Sequence, residues 1–571
     1  MRALLLAFSA WCCLSANALT VNRLNGSASV IYIDFVIPST IPMELARTYN
    51  SITATNEQRG WLGAFGWGWT SPFETTMTTT PDRNVLLRDG ANGNTVLFRP
   101  EKEDPKAMSE FLEAFKIAYF NKERGLNLSK SEAAKLNLPE RIATSLRTDP
   151  QFRNEMAAKY AVKATIPTGQ VLVSSEFGYQ TVYQKGTQWI RTRDGMTQTF
   201  DGDGRLIQQR DAKGALFTFT YSPTQKYQLD EVRDANKTAS LKFTWRGDRI
   251  AEVTDNRGNR AVYTYDATGN LTQVVDSDRQ TFRYAYENKK YPHLITKIDY
   301  VTESKQKPSY RQVRYDDNAL VVYHREKDGT ETHYTYGKIA RDPENNFWTK
   351  TVVNTRGGKE ETYDEYLIKA RPDGTKYLYR QEHKDATETT ITVYNPCCGQ
   401  PLEVTKNGVV TSFKYYPDGL LKERVSPSEA VAFEYHPKWK KATQVKLNAT
   451  TYKYSYDGTG TLTRAENDKK EFVVLKYRKG KISEMTGGPD KTLLFDWGSL
   501  GRPVLITQPG VGAIRLHYDA QGRVDGTEIV PDARGRKPSR DDSKDIGRRV
   551  MKSFQLLLDL LRPAGAGVNF G

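Results

Sequence analysis

Cysteine is nearly missing from this chain: four residues in 571, with only eight Met and six His. Two of the four, Cys12 and Cys13, lie in the first 18 residues, which excludes a disulfide framework. The six histidines (His293, His324, His333, His383, His436, His517) show no H-E-x-x-H or Cys/His spacing, so no metal site is expected. Long apolar runs are scarce as well, and a mean hydropathy of −0.65 excludes a multi-span helical membrane protein. Charge is plentiful but mixed, 83 Lys and Arg against 68 Asp and Glu, which with 11% aromatics excludes a disordered chain. In excess are 32 Tyr and 42 Gly, residues of strands and turns.

Residues 1–18 carry one cation, Arg2, an apolar stretch from Ala3 to Leu14, and the small-x-small triplet Ala16-Asn17-Ala18. This reads as a signal peptide cut near Ala18, too short to span a bilayer. The expected location is the periplasm, cell surface or medium, with no transmembrane span in the mature chain. That chain keeps 82 cations against 68 acids, a net +14, and of its cysteines only Cys397 and Cys398. Adjacent Cα atoms sit about 3.8 Å apart where disulfides prefer about 4.4–6.8 Å, so this pair is either a strained redox pair or two turn thiols.

From about residue 200 one phrase returns: an aromatic, often followed by Asp, a turn with Gly, then an aliphatic residue. The clearest copies are Tyr265-Asp266-Ala267-Thr268-Gly269-Asn270-Leu271, Tyr456-Asp457-Gly458-Thr459-Gly460-Thr461-Leu462 and Tyr518-Asp519-Ala520-Gln521-Gly522-Arg523-Val524. Looser copies start at Phe200, Tyr221, Trp245, Tyr286, Tyr315, Tyr394, Tyr416, Tyr435, Tyr477 and Phe495. Successive aromatics are spaced 21, 24, 20 and 21 from Phe200 to Tyr286, and 22, 19, 21 and 21 from Tyr394 to Tyr477. Alternation such as Val262-Tyr263-Thr264-Tyr265 predicts strands, Asp266 accepts backbone N–H groups, and Gly269 supplies a left-handed turn residue. Each unit is a hairpin that must stack on its neighbours to bury its apolar face.

Residues 200–525 resemble the Rhs/YD-repeat family, whose repeat reads Y-x-Y-D-x-x-G-R-L. The segment from Tyr394 to Leu402 fits the frame with Cys397 and Cys398 in its turn. Residues 44–99 resemble the region preceding such repeats, through Glu44 to Ser51, Leu62 to Trp69, and Leu87 to Gly90. The Gly-Trp run could be a ligand platform, but large aromatics are mostly buried, which favours a core plug. The resemblance implies a predominantly β fold: stacked antiparallel YD hairpins forming a curved sheet or partial β-shell, with a small helical insertion and a C-terminal helix. The expected organisation is a signal peptide (1–18), an N-terminal Rhs-type β region (19–100), a helical insertion (101–165), a return to β (166–199), the repeat array (200–530), and a basic linker with an amphipathic helix (531–571). Within the array, 301–390 lose the turn phrase, so extra loops or a sheet corner are expected there.

Chemistry-bearing motifs are sparse. Asp201-Gly202-Asp203-Gly204 starts like a calcium loop, but Arg205 stands where a third acid is needed, so a hairpin turn accounts for it better. Asp276 and Asp278 would serve a glycosidase only across a cleft. Large Rhs proteins carry a self-cleaving core and a toxin payload; neither is recognisable here, so autoproteolysis and nuclease activity do not carry over. No catalytic residue and no cofactor is expected. The leading expectation is an exported, non-enzymatic scaffold that binds envelope polysaccharide or a surface protein, and export argues against a nucleic-acid partner. The alternatives are a shell that holds a separately encoded effector in a toxin or predation system, and a carbohydrate-active enzyme.

Overall fold

The computed structural model describes residues 19–37, 43–55, 62–100, 106–162, 166–174, 180–193, 195–210, 216–301, 309–355, 357–371, 376–396, 399–478, 481–488, 491–498, 503–518, 524–530 and 540–564. The expected signal peptide, Cys397, Cys398, Asp519 and Gly522 lie outside them. The fold is predominantly β and antiparallel, and it divides into two compact units, the larger built on 44–407 with Asn17–Phe35 and the smaller on Gly408–Gly571.

In the larger unit one antiparallel sheet runs from Thr76–Thr79 to Pro401–Lys406, each strand paired with its sequence neighbour. The exception is the pairing of Thr95–Pro100 with Val171–Ser174, where Leu172 faces Pro100 across four helices. Those helices are Ala107–Arg124, Lys130–Ala134, Glu140–Thr148 and Pro150–Lys159. Ser129 and Glu132 form a capping box on the second, and Asp149 caps the fourth by accepting the Phe152 N–H at 3.0 Å. They have their own core of Phe111, Phe115, Leu146, Ala157 and Tyr160. Arg153 and Asp82, each 2% exposed, tie this core to the sheet through a 2.9 Å ion pair.

A small sheet of Thr20–Val21, Ala28–Ile37, Met43–Asn50 and Trp69–Thr70 packs on strands 260–300 of the larger unit. Its centre is charged. Arg47 Nη2 donates to Asp34 Oδ1 at 2.8 Å, and the Tyr263 hydroxyl donates to Asp34 Oδ2 at 2.7 Å. Trp69 and Tyr32 lie under the guanidinium, at 4.7 and 5.6 Å from ring centroid to Cζ. Burial lowers the acidity range of such a guanidinium, but the Asp34 carboxylate outweighs it and keeps Arg47 charged. A buried pair of this kind adds little net stability, while loss of either partner leaves an uncompensated buried charge.

Within 301–390 the strands lengthen, Asn346–Thr355 pairing in full with Gly358–Ala370 and the latter with Lys376–Lys384. These two hairpins are longer than those of the repeat, whereas Tyr315 and Asp316 still form a repeat turn opposite Val321. Trp348 covers Gly337 across the ladder, where an added Cβ would lie 2.3 Å from its ring.

In the smaller unit, Val445, Val473, Met485, Leu493 and Ile506 share a core with Val550, Phe554 and Leu557 of the helix Arg540–Asp559 and with Leu561 just after it. The helix therefore caps the sheet. Gly512 and Gly487 leave it room, since a Cβ there would meet Ile546 at 2.7 Å and Leu557 at 2.9 Å.

Replacing Arg153 with Met leaves the buried Asp82 carboxylate without its cation. The expected cost is about 3–5 kcal/mol, read as a lower denaturation midpoint and early proteolysis between residues 106 and 162.

The repeat clamp and an arginine-aromatic cleft

The turn residues read from sequence come together as one device. Asp266 Oδ1 accepts the N–H groups of Thr268 and Asn270 at 2.9 Å each, and its Oδ2 accepts from the Asn270 side chain at 3.0 Å. Burial pushes this carboxyl up, but the Thr268 hydroxyl and Asn270 outweigh it and hold it below the usual range. Asp457 repeats the arrangement with Thr459 and Thr461, at 2.8 and 3.0 Å. Gly269 and Gly460 take φ of +89° and +84°, the left-handed conformation that closes the loop. The ladder then slips by one residue at Tyr265 opposite Leu271, and at Tyr456 opposite Leu462.

The aromatic has a role that its turn position does not reveal. The Tyr265 hydroxyl donates to the Ile250 carbonyl at 2.7 Å, and Tyr286 donates to Leu271 at 2.8 Å. Tyr456 reaches Ala442, Tyr477 reaches Leu462, and Tyr518 reaches Pro503, at 2.7, 2.7 and 2.6 Å. Trp245 and Trp497 do the same through Nε1, to Leu229 at 2.8 Å and Ile482 at 2.6 Å. Each aromatic thus clamps the carbonyl of the residue that closed the preceding turn. This resets two frames. Tyr415, not Tyr416, faces Leu421 at the bulge, with Tyr416 in the Asp position. Trp497, not Phe495, is the clamp of its repeat.

The Gly-Trp run sits on one of these turns. A Cβ on Gly66 would lie 2.7 Å from the Gly269 carbonyl, so only glycine permits this approach. Trp67 Nε1 donates to the Thr268 carbonyl at 3.0 Å and its ring stacks on His293, while Trp69 is fully buried. The run is a core plug.

Beside the plug lies a cleft of about 500 Å³ in the larger unit. Residues Gly63 to Thr76 and Arg88 form one wall; Arg205, Tyr221, Tyr227, Phe243, Trp245 and Arg249 are on the other. At its base Glu74 accepts the Ala64 and Ser71 N–H groups at 2.6 and 2.9 Å. Burial pushes its carboxyl up to about 7, against the pull of those two bonds and of Arg88 and Arg249. These walls are 117 or more residues apart in sequence, from Arg88 to Arg205, so no local pattern announces the cleft. The near-contact of Gly66 with the Gly269 turn is the one signal that a glycine-rich approach could have supplied.

The remaining candidates are turns. Asp201 Oδ1 accepts the Asp203 and Arg205 N–H groups at 3.0 and 2.9 Å. Asp276 accepts from Asp278 and Gln280 in the same way; burial raises its carboxyl to about 6. Asp276 and Asp278 therefore share one turn and do not face each other across a cleft. Among the described residues no three His, Cys, Asp or Glu side chains are grouped to hold a metal, and no helix is long and apolar enough to cross a membrane.

Two outcomes are expected. Tyr265→Phe leaves the Ile250 carbonyl without its hydroxyl donor and lowers stability by about 1–3 kcal/mol in denaturant unfolding. Because Glu74 keeps its proton in the folded chain up to about pH 7 while the unfolded group releases it near 4.5, its contribution is full at acid pH and is lost as pH rises through that window. Glu74→Gln removes that slope, roughly 3 kcal/mol between pH 4.5 and 7, from a pH series of unfolding midpoints.

Residues 20–98 match the domain of unknown function DUF6531, and residues 246–281 match the RHS Repeat. The chain is 30% identical over 140 residues to the probable deoxyribonuclease RhsA of Dickeya dadantii (strain 3937); that stretch is 24% of this chain and 9% of the relative. Among solved structures it is similar to the crystal structure of TcdB2-TccC3-TEV, at 12% identity and a TM-score of 0.41, covering 92% of this chain and 29% of that one. The crystal structure of TcdB2-TccC3-Cdc42 gives 11% and 0.33, covering 88% and 31%. The matched RHS Repeat, the DUF6531 stretch before it and the hairpins clamped in register support an Rhs/YD-repeat family protein.

Proposed function

We propose that the chain is an exported, non-enzymatic Rhs/YD-repeat scaffold that binds carbohydrate of the cell envelope or cell surface. The observation that carries this reading is the cleft between the Gly-Trp plug and the first repeats, where aromatic side chains and arginines line one concavity of ligand size. The acids that could serve catalysis are spent on structure. Asp201, Asp266, Asp276 and Asp457 close turns, and both oxygens of Glu74 take backbone N–H groups. The net +15 of the whole sequence supports attraction to anionic polymers.

A second reading is a shell or carrier in a toxin system with a separately encoded effector. The RHS Repeat and the 140-residue likeness to RhsA favour it, although the deoxyribonuclease named for that protein is not brought over by a 9% overlap. The two separate by experiment. Retention of the full chain on purified envelope polysaccharide, weakened by salt, is expected for the scaffold reading; no retention overturns it. Co-purification of one stoichiometric protein from the native host, without polysaccharide binding, favours the carrier.

A further inference from the structure

Within the cleft, one cation has hydrogen-bonding capacity to spare. Arg205 is committed: its Nε donates to Asp201 Oδ2 at 2.7 Å, its Nη1 to the Lys226 carbonyl at 2.6 Å, and its guanidinium covers Tyr221. Arg249 instead makes a 3.2 Å bond from Nη1 to the carbonyl of its own neighbour Asp248, and its buried Nε–H has no acceptor. Its Nη2 lies over the Gly269 turn, where an added Cβ would come within 2.9 Å. The guanidinium therefore packs against the turn, in space that the missing Cβ leaves open. Glu74 attracts it electrostatically, yet both Glu74 oxygens are already occupied by backbone donors.

The rest of the cleft is suited to a ring. Phe73, Phe243 and Trp245 give apolar walls, and Tyr227 is 60% exposed on the same lining. Unlike the repeat aromatics, Tyr227 has no place in the clamp; Lys226 Nζ lies 5.5 Å from its ring centroid, and the side chain stays exposed enough to meet a ligand. A planar guanidinium matches the two oxygens of a carboxylate. Asp248 on the lining penalises a dianion, which favours a singly charged group.

We propose that this cleft binds a carboxylate-bearing sugar residue, with the carboxylate on the Arg249 guanidinium and the ring against Tyr227. The inference rests on the carbohydrate-binding reading above and narrows it to acidic sugars at one site.

Titration calorimetry of the full chain with glucuronate, glucose and acetate tests it. Glucuronate is expected to bind about tenfold or more tightly than glucose, and acetate more weakly than glucuronate. Arg249→Met should reduce glucuronate to the level of glucose, while Tyr227→Ala should weaken both sugars and keep the preference. Tyr227 is exposed and outside the clamp, so its variant reports on the site even if Arg249→Met fails to fold. Equal binding of glucuronate and glucose, no binding of glucuronate, or unchanged affinity in Tyr227→Ala overturns the proposal. Polysaccharide retention that persists in both variants removes this site and leaves the carbohydrate reading standing. Glucuronate binding without polysaccharide retention keeps the site and removes that reading.

Discussion

The fold depends on a hydrogen bond that joins one repeat to the one before it. A hairpin with a bulge has a ladder that slips, and a slipped ladder misaligns a carbonyl. Here the aromatic of the next repeat donates to that carbonyl, so the defect of one hairpin becomes the attachment point of its successor. A Trp indole serves as well as a Tyr hydroxyl because each presents one donor at the end of a rigid ring. Phenylalanine cannot do this, and at Phe200 the register shift occurs with no ring donor to replace the bond.

The same economy governs the charged groups. The Asp side chains of the turns, Arg47 with Asp34, and Arg153 with Asp82 are all engaged in holding backbone or joining layers. The shifted carboxyls of Asp266 and Asp276 follow from burial and from the donors around them, and neither requires a reaction to explain it. Perturbed carboxyls in a repeat protein are thus weak evidence for catalysis.

Period, turn chemistry and the presence of a helical insertion, with helices between Ala107 and Lys159, were legible because each is written in consecutive residues. The frame was less so. In the Tyr415-Tyr416 doublet either ring could fill the aromatic position, and only the pairing with Leu421 decides. Phe495 and Trp497 stand two residues apart on one strand, and the Nε1 bond to Ile482 shows which ring is the clamp. The first turn of the terminal helix, from Arg540 to Lys544, has no apolar residue for periodicity to detect, so its start is not marked in the sequence. The cleft was illegible for a different reason: its residues are adjacent only after the Gly-Trp segment has docked on the repeats.

The helical segment leaves the sheet at Thr95–Pro100 and returns at Val171–Ser174, which are neighbours in the ladder. Exit and entry are therefore separated by one inter-strand spacing, about 4.8 Å. Whatever lies between them closes a loop whose ends the sheet has already fixed, so its length and content are free of the repeat's register. This makes the junction a graft point: relatives of this architecture could exchange the helical module for another, or lose it, while the walls on either side stay in phase.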